Sequence, residues 1–430
     1  MENKAYRKII QAWSMYDWGK SAFETTIMAA VLPIYYSAVA AGNLPRNQAT
    51  VYWGYTASIA LFIVAILSPI LGAIADYKGS KKRYLTIFAS LGIAATGLMY
   101  FITYGDWLFA SILFIIGNVG LAGGNVFYDS LLPHIARDED FDQVSTRGYA
   151  LGYLGGGILL AINMAMILFA PEALTGLMTR IALASAALWW LIFSIPLWKH
   201  VPEPPRRLLP EEEGKDPVKA GFRRLFVTFK EITKYSELFK FLIAFWLYND
   251  GIGTIIKMAT IYGAEIGIGQ TDLIGTLLMV QFVGIPFSFG FGWLAKKIGT
   301  KEAIYISLGV YTLISLGGYF MTTALHFWIL GFSVAMVQGG SQALSRSLFG
   351  RMVPKVQSAE FFGFFSVSAK IAGIVGPLVF SLVSQAMGNS RLGIVSLVVF
   401  FIAGGLLLTR VDQEEGIRVA READLLAVKH

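Results

Sequence analysis

The sequence predicts an all-α membrane protein of twelve transmembrane helices, folded as two pseudo-symmetric six-helix bundles with both termini cytoplasmic. Three observations carry this. Of the 430 residues, 55% are hydrophobic and 15% charged, an apolar excess that belongs to a polytopic membrane protein rather than a soluble domain. A helix rising 1.5 Å per residue needs about 20 mostly apolar residues to cross a hydrocarbon core of about 30 Å. Twelve such runs can be read, at 19–41, 52–75, 84–104, 107–132, 149–169, 176–198, 238–262, 273–295, 303–323, 327–350, 361–387 and 392–409. The third observation is where Lys and Arg fall. With both termini inside, and with Arg180 and Arg346 near span ends counted with the side they adjoin, 28 of the 35 basic residues fall on the cytoplasmic side, three (Arg46, Arg180, Arg391) outside and four (Lys20, Lys240, Lys257, Lys370) within spans, the bias that orients membrane proteins.

The same bias accounts for the net charge of +7, so no nucleic-acid partner is expected; the partners expected are the lipid bilayer and a small-molecule solute. Ala38-Val39-Ala40 imitates a signal-peptide cleavage site, but the stretch before it is too long and carries Lys20 and Glu24, so the first span is expected to stay. With no cysteine and only His134, His200, His326 and His430, scattered over loops and ends, no disulfide, metal cluster or cofactor is expected. Gly19-Lys20-Ser21 mimics the end of a phosphate-binding loop, but Ser14 stands where its first glycine belongs and no strand precedes it. GxSxG, HExxH and GxGxxG are absent, which argues against an enzyme or an ATP-driven pump.

The long polar stretch 199–237, with five prolines and the acidic run Glu211 to Glu213, separates a first bundle (1–198) from a second (238–410), followed by a cytoplasmic tail (411–430). Within it, "VKAGFRRLFVTFKEITKY" gathers Phe222, Leu225, Phe226, Phe229 and Ile232 on one helical face, as an amphipathic helix on an anionic leaflet would. Internal repeats support two halves. Gly72-x3-Asp76-x2-Gly79-x-Lys81, after the second span, matches Gly292-x3-Lys296-x2-Gly299-x-Lys301, after the eighth. Trp107 and Pro133 echo Trp328 and Pro354, and Tyr16-Asp17-Trp18-Gly19 echoes Tyr248-Asn249-Asp250-Gly251.

The repeated turn resembles the loop signature of the major facilitator superfamily, and "YDWGKSAFETT" with "LYNDG" further resembles its vacuole-effluxer branch, the autophagy-related amino-acid effluxer-like proteins and their bacterial relatives. The resemblance implies alternating access by two rocking bundles around a central site and, for the fungal members, export of amino acids such as leucine. Lys296 stands where the first repeat has Asp76, and "GYALGYLGGG" lacks the Gly-Pro of drug antiporters, departures that point away from a drug/proton antiporter.

An ionisable group deep in a span costs about 2.5–3.5 kcal/mol on insertion scales and marks a functional site by default. Asp17, Lys20, Ser21 and Glu24 form one stripe of the first span, with Lys20 and Glu24 at i, i+4. The seventh span carries Asn249, Asp250 and Lys257, the eleventh Lys370, the fourth Asn118, Asn125 and Asp129, and the tenth Gln338, Gln342 and Arg346. In the superfamily, spans 1, 4, 7 and 10 line the central cavity. Solute contacts are therefore expected from Glu24, Asn125, Asn249, Asp250, Lys257, Gln338, Gln342 and Lys370, and proton exchange from Glu24 and Asp250. Gating contacts are expected from Asp17, Lys20, Asp76, Lys81, Asp129 and Arg346, while the glycines of the fifth span allow close packing.

Carboxylates and ammonium groups in one cavity suit a small zwitterion, an amino acid above all, carried by a monomeric secondary transporter of the cytoplasmic membrane. Export of an organic anion or sugar-like metabolite, or a transporter-shaped sensor or scaffold, are the alternatives.

Overall fold

The computed structural model describes residues 2–44, 46–205, 234–371 and 375–428. The expected amphipathic segment 218–235 lies outside them except for its last two residues. Among the described residues every element is a helix and none is a strand, as the lack of water in a hydrocarbon core requires of a chain that must bond its backbone groups within each segment.

Helix α1 (Glu2–Ala22) runs on through a π-helical stretch (Phe23–Ala30), α2 (Val31–Tyr35) and a second π-helical stretch (Tyr36–Ala40). Helices α3 (Arg46–Lys78), α4 (Lys81–Leu98), α5 (Trp107–Ile135), α6 (Phe141–Leu168) and α7 (Thr175–His200) complete the first half. The second half holds α8 (Ser236–Glu265), α9 (Gln270–Ile298), α10 (Thr300–Tyr319), α11 (Ala324–Met352), α12 (Ser358–Ile371), α13 (Val375–Met387), α14 (Ser390–Ser396) and α15 (Val398–Thr409), and α16 (Gln413–Val428) follows as the tail helix. By length and hydropathy, seven helical segments among the described residues can cross a membrane on their own, against the twelve spans expected from apolar runs. Polarity or segmentation accounts for part of the difference: α8 carries Lys240, Asp250 and Lys257, and the run 361–387 is described as α12 and α13.

Both copies of the repeated turn need glycine at the same place. Gly79 has φ 60° and Gly299 φ 106°, a region closed to most side chains, so the chain can leave one helix and start the next within two residues. Two apolar clusters form the cores. One runs from Ile10 to Val201 and also takes in Ala359; the other runs from Tyr235 to Val411 and also takes in Val126. Large apolar side chains such as Phe169, Ile34 and Phe320 point outward, 88%, 71% and 71% exposed; in lipid an outward Phe or Leu costs nothing, so helix association rests on close van der Waals packing.

The halves meet just as closely, along α3 with α12 and α6 with α9. A Cβ on Gly72 would lie 2.2 Å from the carbonyl oxygen of Ala359, one on Gly363 2.7 Å from Cα of Pro69, and one on Gly292 2.3 Å from Oγ1 of Thr146. These are approaches that only a hydrogen side chain permits. Gly72→Ala is therefore expected to lower stability by about 1–3 kcal/mol through overpacking, read as an earlier thermal transition in detergent. Gly309, also mid-helix, has nothing within 4 Å of its would-be Cβ, so Gly309→Ala is expected to be neutral or to stabilise by up to about 1 kcal/mol.

Candidate functional site

Helical spacing on α1 puts Asp17 and Lys20 on one side, and Glu24, four residues after Lys20, is the second residue of the π-helical stretch. The Lys20 ammonium lies 2.9 Å from Oδ1 of Asp17 and 3.3 Å from Oε1 of Glu24. The Asp17 and Lys20 side chains are buried, whereas that of Glu24 is 42% exposed. Asp17 also accepts a 2.9 Å hydrogen bond from the Tyr128 hydroxyl.

Arg346 reaches this group from α11, in the other half of the chain. It donates from Nη1 to Asp129 at 2.9 Å, from Nε to the Ser145 hydroxyl at 2.9 Å and from Nη2 to the Ser145 carbonyl at 2.8 Å. Nη1 also lies 3.6 Å from Oδ2 of Asp17. The rings of Trp13, Tyr128 and Tyr149 stand 5.1, 5.7 and 4.5 Å from its guanidinium carbon, close enough for cation–π attraction. Every one of these partners belongs to the first half. Gly148 leaves the space they need, since a Cβ there would lie 2.8 Å from Oδ2 of Asp17 and 3.1 Å from Nη2 of Arg346. The result is a chain of alternating charge, Glu24, Lys20, Asp17, Arg346, Asp129, drawn from α1, α5, α11 and the π-helical stretch that follows α1. Alternation makes its burial tolerable, because each desolvated ion has an opposite neighbour.

Two further carboxylates join the halves at the same end of the helices. Asp76, at the first repeated turn, pairs with Lys81 at 2.6 Å and accepts from the backbone N–H groups of Ala359 at 3.2 Å and Glu360 at 2.8 Å. Those amides belong to the first turn of α12, where N–H groups lack partners within the helix and carry its positive dipole end. Asp142, in the first turn of α6, accepts from the Thr300 hydroxyl at 2.8 Å, from Arg351 at 2.9 Å and from the Ser347 hydroxyl. Thr300 directly follows Gly299 of the second repeated turn. Each turn is thus tied to the opposite half by one buried carboxylate. In the first the turn supplies it, whereas in the second Lys296, at the equivalent position, is exposed and the first half supplies it.

The other sequence-derived residues lie apart from this chain. Asp250 is fully buried and its carboxylate faces the first backbone N–H groups of α13, Val375 and Gly376, packed so tightly that a Cβ on Gly376 would lie 2.8 Å from Oδ1. Lys257 is exposed and Asn249 half-buried. Asn125 is half-buried with Oδ1 unpartnered. Gln338 and Gln342 are half-buried, and Gln338 borders an apolar cavity of about 80 Å³ among α8 to α11, together with Thr276, Tyr262 and Phe327. The side chain of Lys370 lies outside the described residues. Among those residues no three His, Asp or Glu side chains converge as a metal would require.

Sequence reasoning did not single out Asp142, Ser145, Tyr128, Tyr149, Ser347, Thr300 or Arg351. The repeat held a signal for the first of these. If the turn after the second span needs a partner at the start of the eleventh, the turn after the eighth needs one at the start of the fifth, and Asp142 is the acidic residue there.

Residues 5–421 match the family model described as vacuole effluxer Atg22 like. The chain is 39% identical over 425 residues to the "uncharacterized MFS-type transporter YxiO" of Bacillus subtilis (strain 168), spanning 97% of this chain and 98% of that one. It is 25% identical over 455 residues to autophagy-related protein 22 of Yarrowia lipolytica, spanning 85% and 76%. Among solved structures, the proton:xylose symporter XylE aligns with a TM-score of 0.75 at 14% identity over 99% of this chain and 100% of that one. The human organic anion transporter MFSD10 (TETRAN) aligns with 0.69 at 11% identity over 94% and 99%. At such identities the likeness establishes the fold, that of the major facilitator superfamily.

The burial of Arg346 has a measurable consequence. Removing one partner of a buried ion group leaves the others uncompensated, so Arg346→Ala is expected to cost about 3–5 kcal/mol, read as a fall in thermal stability in detergent. Arg346→Lys is expected to recover only part of it, because an ammonium cannot reproduce the planar fork that holds Asp129 and Ser145 together.

Proposed function

We propose that this chain, which belongs to the vacuole effluxer Atg22 like family and is a multi-pass secondary transporter rather than an enzyme, moves a small zwitterion, an amino acid, out of the cell. In this reading twelve spans form two bundles with both termini in the cytoplasm of a cell membrane, and one monomer suffices. The observation that carries the solute assignment is the end of the charge chain. Asp17, Glu24 and Asp129 outnumber Lys20 and Arg346 by one, and the carboxylate left half-exposed is Glu24. A solute ammonium supplies the missing positive charge. Its carboxylate then needs a cation once stripped of water, and Lys257 and Lys370 are assigned to it, with Asn125, Asn249, Gln338 and Gln342 as neutral contacts and Asp250 as a second anionic contact. The family's description names efflux from a vacuole, which runs toward the cytoplasm, so the outward direction across a cell membrane is part of the proposal alone.

Asp17, Lys20, Asp129 and Arg346, with the Asp76 and Lys81 turn, act as the gate at the end of the helices that bears the basic connections. In this reading they hold that end closed, and opening it requires Arg346 to leave its first-half partners, a discrete exchange of contacts of the kind that makes a packed interface bistable. Glu24 and Asp250 are the proton-exchanging groups, since a carboxylate in such a site responds both to burial and to a neighbouring cation.

Uptake and counterflow of a panel of labelled amino acids into proteoliposomes, with and without an imposed pH gradient, test this. Saturable flux of one or more amino acids is expected, with Glu24→Gln abolishing gradient-driven accumulation while leaving counterflow. Absence of flux for every amino acid overturns the solute assignment and directs the same assay to organic anions and sugars. Unchanged accumulation by Glu24→Gln overturns the coupling role of that carboxylate.

A further inference from the structure

We propose that Lys20 is a shared cation that transmits the charge state of Glu24 to the Arg346 latch, so that arrival of a solute ammonium at Glu24 loosens the contact between the halves. The inference rests on the solute reading above for the identity of the incoming charge. The coupling itself rests on geometry alone.

Lys20 stands between two carboxylates of different duty. One, Glu24, faces out of the buried chain with its side chain 42% exposed. The other, Asp17, is buried and shared: Oδ1 faces Lys20 at 2.9 Å, while Oδ2 faces the Tyr128 hydroxyl at 2.9 Å and Arg346 at 3.6 Å. Arg346 comes from the second half and is held there by charges of the first. Counting those charges, Asp17, Glu24 and Asp129 against Lys20 leave a net −2 facing the guanidinium. A positive charge placed on Glu24 lowers this to −1. It also releases Lys20 wholly to Asp17, whose carboxylate then has less to offer Arg346. Both effects have one sign. Lys20, Asp17 and Arg346 are buried, so from Lys20 onward these effects act with little screening over the few ångströms involved, and by linkage a ligand that binds one state better must favour that state. The same arithmetic forbids a solute without a cationic group from acting this way, so Lys20 would make opening selective for a solute with an amine.

The charge count yields a test that needs no solute. The chain lacks cysteine, so spin labels can be placed at Lys78→Cys, at the end of α3, and Lys297→Cys, at the end of α9, both exposed and in opposite halves. Distance distributions are then recorded in lipid nanodiscs. Glu24→Gln (net −1) is expected to raise the ratio of separated to closed forms roughly tenfold, within the usual range of coupling between sites. Lys20→Met (net −3) is expected to lower it, and the double variant (net −2) to return it to the wild-type value, as should Lys20→Arg alone. If both single changes separate the halves and the double separates them further, Lys20 and Glu24 merely pack and the proposal fails; it fails equally if Glu24→Gln changes nothing. Should Lys20→Met not fold, Glu24→Gln against Lys20→Arg decides the same question. A failure here with amino-acid flux intact removes the coupling and leaves the solute reading standing, whereas loss of flux with the distances shifting as stated does the reverse.

Discussion

The burial of one guanidinium from the second half inside a shell built by the first is the constraint around which the neighbouring structure is arranged. A charge with 2% of its surface exposed is tolerated only if each donor is met and opposite charge stands close. Arg346 satisfies this with Asp129, both oxygens of Ser145, Asp17 and three aromatic faces. Much of the local sequence follows from it. Gly148 must lack a side chain, Tyr128 must spend its hydroxyl on Asp17, and Lys20 must neutralise the charge that Asp17 adds. The chain of alternating ions then has to end somewhere, and it ends at Glu24, where the first helix enters a π-helical stretch, a local irregularity that recurs at functional positions.

The same end of the molecule uses a second device twice, with different donors. Asp76 and Asp142 each tie one half to a turn or helix start of the other. Asp76 is met by orphan backbone amides of α12 and by Lys81, whereas Asp142 is met by hydroxyls and by Arg351. The pseudo-repeat therefore keeps the geometry of the tie while exchanging which half contributes the carboxylate. Glycine contact at Gly72, Gly292 and Gly363 lets the helices approach until such short side chains can reach across. Asp250, pressed against Gly376 at the start of α13, stands outside both devices.

Reading the site from the sequence worked where one helix held all the information. Asp17, Lys20 and Glu24 share a face by periodicity alone, and the structure finds them bonded to one another. Asp129 and Arg346 were visible as charges where charge is costly, but their pairing across 217 residues was not, because periodicity says nothing of which helices meet. Ser145, Tyr128 and Tyr149 carried no signal at all: a serine or tyrosine near a span end is cheap in any setting, and only its neighbour gives it a task. Asp250 and Lys257 share a face at a spacing of seven, yet one is buried and the other exposed, since burial depends on what packs over each position.

By itself, then, the sequence determined that this chain is a helical membrane protein, because the bilayer imposes length and apolarity on each segment separately. It also determined which few spans bear costly charge and where the turns need glycine. Tertiary structure alone decided that Arg346 belongs to Asp129 and Ser145, that Asp142 answers Asp76, and that Lys20 stands between an exposed carboxylate and a buried one. The reason is physical. Insertion energies act on single residues and can be summed along the chain, whereas compensation of a buried charge is a property of the partners that packing brings within about 3 Å, and those partners come from segments distant in the sequence.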